Sequence, residues 1–191
     1  MLKEQFYEEQ FFKDLTPAAG EISGKEFELC TFENCNFSEA DFSHTKFTEC
    51  SFINCNLAMV KLTNTSLKTV DFQNCKLTGV DFSECNDFIF AVGFTGSILD
   101  FASFIKMEVK NTHFCDCHIH EANFTQSNLE NAVFENCDLK GAIFSHTKLM
   151  KCDFVSAYNF IIDPNENNVR KAKFSLDGLP GLLQKYRIIV A

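Results

Sequence analysis

The sequence predicts an all-β solenoid with four short sides to each turn, and three observations predict it. A bulky apolar residue stands on every fifth position from Phe27 to Phe82 without a miss. The string Phe32-Glu33-Asn34-Cys35-Asn36 returns as Phe52-Ile53-Asn54-Cys55-Asn56 and as Phe72-Gln73-Asn74-Cys75-Lys76, 20 residues apart each time. The residue two before the bulky one is usually small or slim, as in Cys30, Cys35, Thr45, Cys50, Cys55, Val60 and Cys75. A helix repeats at 3.6 residues and a half-buried strand at 2, so a period of five inside a period of twenty fits neither. It fits a coil of four equal sides, each with one large and one small residue inward and three mostly polar ones outward.

Taken in order, residues 1–21 hold an apolar cluster (Phe6, Tyr7, Phe11, Phe12, Leu15) before the turn-forming Thr16-Pro17-Ala18-Ala19-Gly20. They read as a cap over the open end of the stack, which would otherwise expose core side chains and an unpaired edge. The repeat itself is expected over 22–158. Near residues 83–93 the register slips by two, because Asp87 falls where a bulky residue is due and the pattern resumes at Phe94. Phe42-Ser43-His44-Thr45-Lys46-Phe47 recurs as Phe144-Ser145-His146-Thr147-Lys148-Leu149, 102 residues on, which is five turns of twenty plus two. The slip is therefore a bulge within one domain. About 25 units give roughly six turns and a rod of roughly 30 Å at the strand spacing. Beyond Phe154 the pattern decays, Asp163-Pro164-Asn165 makes a turn, and residues 159–191 read as a separate C-terminal segment. It contains a short helix over 175–186 with Ser175 as its N-cap, and then the apolar tail Arg187-Ile188-Ile189-Val190-Ala191.

The chain has 191 residues, 46% of them hydrophobic, with 23 Phe, no Trp, 3 Pro and 10 Cys. That suits one domain with a sizeable core. No secretory leader and no run of about 18 apolar residues is read, so a cytoplasmic location with reduced thiols is expected. The net charge of −9 disfavours direct nucleic-acid binding and suits a basic partner. Residues 1–41 hold ten acids against three lysines, so −7 of the charge lies there.

Nine of the ten cysteines occupy the small inward slot, where a free thiol behaves as a compact hydrophobe. Stacked pairs such as Cys35 and Cys55 come close enough for a disulfide, which a reducing compartment disfavours. The string Cys115-Asp116-Cys117-His118-Ile119-His120 resembles a zinc cluster out of context. On the register Cys115, His118 and His120 point outward on different sides of a corner, so no metal site is expected there, and no cofactor elsewhere. No phosphate loop, G-x-S-x-G elbow or H-E-x-x-H motif is present. With Phe, Leu, Cys and Ala filling the inward slots, no cleft and no enzyme are expected, and core positions such as Phe32, Cys35, Phe52, Cys55, Phe72, Cys75, Phe124 and Phe144 are structural. Apolar residues on outward slots are rarer: Met59, Ile98, Phe101, Ile105 and Ile143, with Phe88 and Phe90 in the slip. A contiguous patch of Phe88, Phe90, Phe101 and Ile105 would form a partner surface.

Units such as Ala40-Asp41-Phe42-Ser43-His44, Ala122-Asn123-Phe124-Thr125-Gln126 and Cys137-Asp138-Leu139-Lys140-Gly141 resemble the pentapeptide-repeat consensus A(D/N)LXX. The resemblance covers residues 22–158 and implies a right-handed quadrilateral β-helix. The run from Ile162-Asp163-Pro164 through Leu182-Leu183 to Ile188-Ile189-Val190 is similar to the quinolone-resistance (Qnr-like) branch. That likeness implies a homodimer joined head to head through the C-terminal helix and strand, here Leu179, Leu182, Leu183, Tyr186, Ile188 and Ile189. It also implies an acidic rod that imitates DNA and binds type II topoisomerases, DNA gyrase or topoisomerase IV, with possible quinolone resistance. The alternative expectation is a scaffold for another, unidentified protein.

Overall fold

The structure, a computed structural model, describes residues 2–18, 20–86 and 90–188. Each five-residue unit forms one side of a square coil because of one backbone conformation. At most corners the residue two after the inward centre lies in the left-handed region, as at Asn34, Asn54 and Asn74 with φ of 54, 54 and 52°. A single left-handed residue between extended ones turns the chain through a corner, and Asn, Asp and Gly adopt it with the least steric cost. This accounts for the third residue of the Phe-x-Asn-Cys motif.

Successive coils pair in parallel through the backbone. The Asn56 N–H donates to the Cys35 carbonyl in the coil before (3.0 Å), and the Leu57 N–H to the Lys76 carbonyl in the coil after (2.7 Å). On one face, termed the first, the inward column runs unbroken from Phe12 to Phe174. Neighbouring rings stack 4.7–5.3 Å apart with interplanar angles of 1–14°. Following the chain, the second face is centred on Leu57, Leu77, Leu99, Ile119 and Leu139, the third on Phe82, Phe104, Phe124 and Phe144, and the fourth on Tyr7, Phe27, Phe47 and, further on, Leu129. The result is a right-handed quadrilateral β-helix of about eight turns, roughly 40 Å long at the strand spacing.

It is longer than the periodicity predicts. Pairing begins with Phe6–Glu8 on Glu26–Glu28 and ends with Lys173–Phe174 on Asp153–Phe154. The expected boundaries at 22 and 158 thus each fall one coil short. Tyr7 and Phe12 stand 20 residues before Phe27 and Phe32, and Phe174 stands 20 after Phe154. Pro17 and Pro164 interrupt the five-residue run between them, which conceals the longer period. The first coil still covers the end of the core, with Tyr7 stacked on Phe27 at 5.2 Å and Phe12 on Phe32 at 5.0 Å.

The slip is visible as a change of pairing offset. Phe52 pairs with Phe72, 20 residues on, whereas Phe72 pairs with Phe94, 22 on. The two added residues follow a 3-10 turn at Phe82–Glu84, where Asp81 Oδ1 accepts the Ser83 N–H at 3.0 Å. The offset changes on the fourth face, where Lys68 pairs with Ala91 and Val70 with Val92, and the first-face ring column crosses without a gap.

The small slot has a second role. Its side chain donates to the carbonyl of a bulky residue one coil below. Cys50 Sγ reaches Phe27 O (3.4 Å), Thr65 Oγ1 reaches Phe42 O (2.8 Å), Thr147 Oγ1 reaches Phe124 O (2.8 Å) and Asn167 Nδ2 reaches Phe144 O (2.9 Å). Cys, Thr, Ser and Asn therefore serve in the core without leaving a buried polar atom unpaired.

The C-terminal helix is shorter than predicted. It spans Leu179–Leu183 and continues as a 3-10 turn at Gln184–Tyr186, instead of running over 175–186. Pro180 lacks an N–H and is tolerated only in a first helical turn. Ser175 accepts the Gly178 N–H at 3.1 Å and so caps the turn leading into the helix. Gly181 lets the helix lie against the last coil, since a Cβ there would strike the Phe160 carbonyl. Lys185 bonded to Asp163 (2.7 Å) and Asn165 to the Tyr186 hydroxyl (2.8 Å) complete the attachment.

Candidate functional site

The interior offers packing and little reactivity. Phe32, Cys35, Phe52, Cys55, Phe72, Cys75, Phe124 and Phe144 are all buried, and the ten cysteines are free. Burial pushes the Cys50 and Cys152 thiols up to about 12, so at these two positions the thiolate that would act as nucleophile or ligand is suppressed.

The outer faces differ from one another in charge. The first face and its following corner present Asp14, Glu33, Asp71, Asp116, Glu135 and Asp153, from the first coil to the last but one. The lysines on this face lie near its ends, Lys13 on Glu33 (2.9 Å) and Lys173 on Asp153 (2.9 Å). Lys173 holds the Asp153 carboxyl below its ordinary range. Near Asp71, Gly93 leaves room for the carboxylate, because a Cβ there would meet its Oδ1 at 2.5 Å. The fourth face is polarised along the rod instead, with Glu8, Glu9, Glu26, Glu28 and Glu49 against Lys46 toward one end and Lys148, Lys151, Arg170 and Lys171 against Glu130 toward the other. Acid concentrated at the N-terminal end, as composition suggests, thus describes the fourth face and not the first.

The predicted apolar patch is only partly assembled. Phe88 lies outside the described residues. Phe90 is half-buried and packs edge-on against Phe82 with centroids 6.0 Å apart, so it belongs to the core of the slip. Ile105 is half-buried on the third face, beside a groove shared with Ser83, Cys85, Lys106 and Met107. Phe101 is 64% exposed and stands at a corner with φ of 60°, an uncommon backbone for a bulky side chain. In the same corner column Met59 is exposed and leans over Gly79. A column of Met59, Gly79 and Phe101 replaces the expected contiguous patch.

At the C-terminal end Leu179, Tyr186 and Ile188 are exposed and Leu182 and Leu183 half-buried, while Ile189 lies outside the described residues. A groove of about 750 Å³ runs between the helix and the last coils, lined by Gly141, Phe160, Ile161, Leu183, Arg187 and Ile188 among others.

One expectation is corrected by geometry. His118 and His120 are not separated by a corner, for the corner falls at Glu121 (φ 56°). They flank the inward Ile119 on the second face, with ring centroids 4.9 Å apart, and only Cys115 lies elsewhere, on the first face. Asp100, one coil earlier, joins them, and one candidate donor atom from each of the three lies within 4.8 Å of the others. The signal was available in the sequence, since 118 and 120 straddle a centre position.

Among the described residues, no helix is long and apolar enough to cross a membrane. Comparison with known proteins finds the pentapeptide repeat region model over residues 25–86 and the model for eight copies of the pentapeptide repeat over residues 117–154. A search of curated proteins finds no match. Among solved structures, a trypsin-treated variant of QnrB1, a plasmid-mediated fluoroquinolone resistance protein, is 22% identical, with 97% of each chain covered and a TM-score of 0.50. A second trypsin-treated variant of QnrB1 gives 21% identity, 97% of this chain, 100% of that one and a TM-score of 0.49. HetL, a pentapeptide repeat protein involved in heterocyst differentiation regulation in the cyanobacterium Nostoc sp. strain PCC 7120, gives 15%, 90%, 89% and 0.42. At such identities the likeness is one of fold. Repeat models covering just over half of the sequence, and a coil that continues the same register beyond them at both ends, place the chain in the pentapeptide-repeat family.

Proposed function

We propose that this protein is a non-enzymatic DNA mimic that binds a type II topoisomerase, DNA gyrase or topoisomerase IV, and protects it from quinolones. The observation that supports this reading is the set of carboxylates on the first face and its following corner, from Asp14 to Asp153, on a rod with coils about 4.8 Å apart. Negative charge displayed along a rod is what a DNA-binding groove selects, through the same basic residues that neutralise phosphates. The fold shared with QnrB1 is in keeping with it. Two copies joined through Leu179, Leu182, Leu183, Tyr186, Ile188 and Ile189 would extend the rod about a twofold axis.

The test is gyrase supercoiling with increasing protein, with and without a fluoroquinolone, repeated with Asp71→Lys/Asp116→Lys. The native protein should inhibit supercoiling or relieve the drug at micromolar concentration, and the charge-reversed form should lose at least tenfold in potency. No effect of the native protein on either enzyme would sink the proposal. The exposed Met59 and Phe101 favour a second reading, a scaffold that docks another protein through an apolar corner. There Phe101→Ser would weaken the partner, and first-face charge reversal would leave binding intact.

A further inference from the structure

We propose that Asp100, His118 and His120 form a surface site on the second face for a divalent transition-metal ion of the zinc type. The register assembles it. Ile98 pairs with His118 and His118 with Asp138, so three successive coils bring their outward side chains together there. Asp100 is held in place, because its Oδ1 accepts the backbone N–H of His120 at 3.0 Å. The exposed His118 ring is tilted 41° to that of His120. Donor atoms within 4.8 Å of one another need to close by about 1.4 Å to match the ~2.0–2.2 Å bonds of a tetrahedral zinc ion, and His118 is exposed.

A further carboxylate supports the ring of His120 from the following coil. Asp138 Oδ2 lies 2.9 Å from His120 Nε2, while Asp138 Oδ1 accepts from Asn159 Nδ2 (2.8 Å) and the Lys140 N–H (3.2 Å). Carboxylate behind imidazole is the arrangement that orients metal-bound histidines. His120 Nε2 is shielded from water and faces Asp138, so an ion would take the other ring nitrogen, Nδ1. Two imidazoles and a carboxylate suit zinc, nickel or copper better than calcium or magnesium. The exposed side of the site leaves a coordination position for water or for a ligand from a partner.

The experiment is titration of the metal-free full-length chain with zinc chloride, read by calorimetry and by thermal unfolding. One equivalent should bind reversibly to chelator and raise the melting temperature, because an ion that binds only the folded chain stabilises it. His118→Ala, an exposed change that leaves the core intact by circular dichroism, should weaken binding at least tenfold, as should Asp100→Asn. Cys115→Ser should bind like the native protein. Absence of zinc binding by the native chain overturns the proposal, and so does binding lost in Cys115→Ser but kept in His118→Ala. Neither result bears on the topoisomerase reading, which rests on another face.

Discussion

The coils before the slip and those after it solve the same packing problem in different ways. Around Phe27, Phe32, Phe37 and Phe42 a phenylalanine fills all four sides, and the rings cannot all meet edge to face. Phe42 lies tilted at 42° to Phe47 and 30° to Phe52. After the slip, the inward centres carry phenylalanine on two opposite faces only, and Leu99, Ile119, Leu139 and Leu129 fill the other two. There the two ring columns cross at 82–90° and stack at 2–10°, from Phe94 through Phe154. A five-residue period thus specifies the coil without specifying its filling. Alternating aromatic and aliphatic sides give the regular lattice, in which each buried ring gains both favoured geometries.

The comparison breaks or sharpens most sharply at single rings. Phe124→Ala should cost about 3–5 kcal/mol in urea unfolding, the range for a buried phenylalanine that leaves a cavity. Phe42→Ala should cost about 1 kcal/mol less, since its tilted contacts are poorer. Equal costs, or the reverse order, would show that the two lattices are energetically alike.

A smaller effect lies in the small slot. Thr147→Val keeps the shape and removes the donor to the Phe124 carbonyl, so about 1–2 kcal/mol should be lost. Cys50→Ala, whose sulfur is a weaker donor at 3.4 Å, should lose less of its cost to hydrogen bonding. Thermal unfolding of both variants, referred to Ala and Val at the all-apolar slots Val60 and Val80, separates the two contributions. A neutral Thr147→Val would reduce the slot to packing alone.

The smallest expected effect distinguishes the two ends of the rod. Lys173 and Lys185 hold the Asp153 and Asp163 carboxyls below their ordinary range. A carboxylate whose folded pKa is depressed contributes fully above its unfolded value of about 4 and loses that contribution as pH falls through the folded value. Amide exchange or proteolysis at Leu179–Leu183 should therefore quicken below about pH 4, before the central coils respond. Unchanged protection of the helix at pH 3 would refute this.

Much of the fold was legible in the residues. Asn34, Asn54 and Asn74 mark corners because they tolerate a left-handed backbone, and Phe32 and Cys35 mark the interior because one bulky and one slim side chain fill one side of the coil. The end coils were not legible, because Pro17 and Pro164 break the five-residue run while Tyr7 and Phe174 keep the twenty-residue one. Phe90 and Phe101 were indistinguishable in sequence, both apolar near the slip. The fold turns the first into core against Phe82 and leaves the second at a corner, exposed.

By itself the sequence determined the period, the four sides and which side chains go inward, since those follow from local sterics and the need to bury bulky apolar groups. Only the tertiary structure decided which outward residues share a face. A coil brings residues 20 apart into register and sends residues two or three apart around a corner, so placing that corner at Glu121 instead of between His118 and His120 converts an unconnected string into a cluster with Asp100. The same stacking spreads six carboxylates along one face while composition places most of the charge at one end.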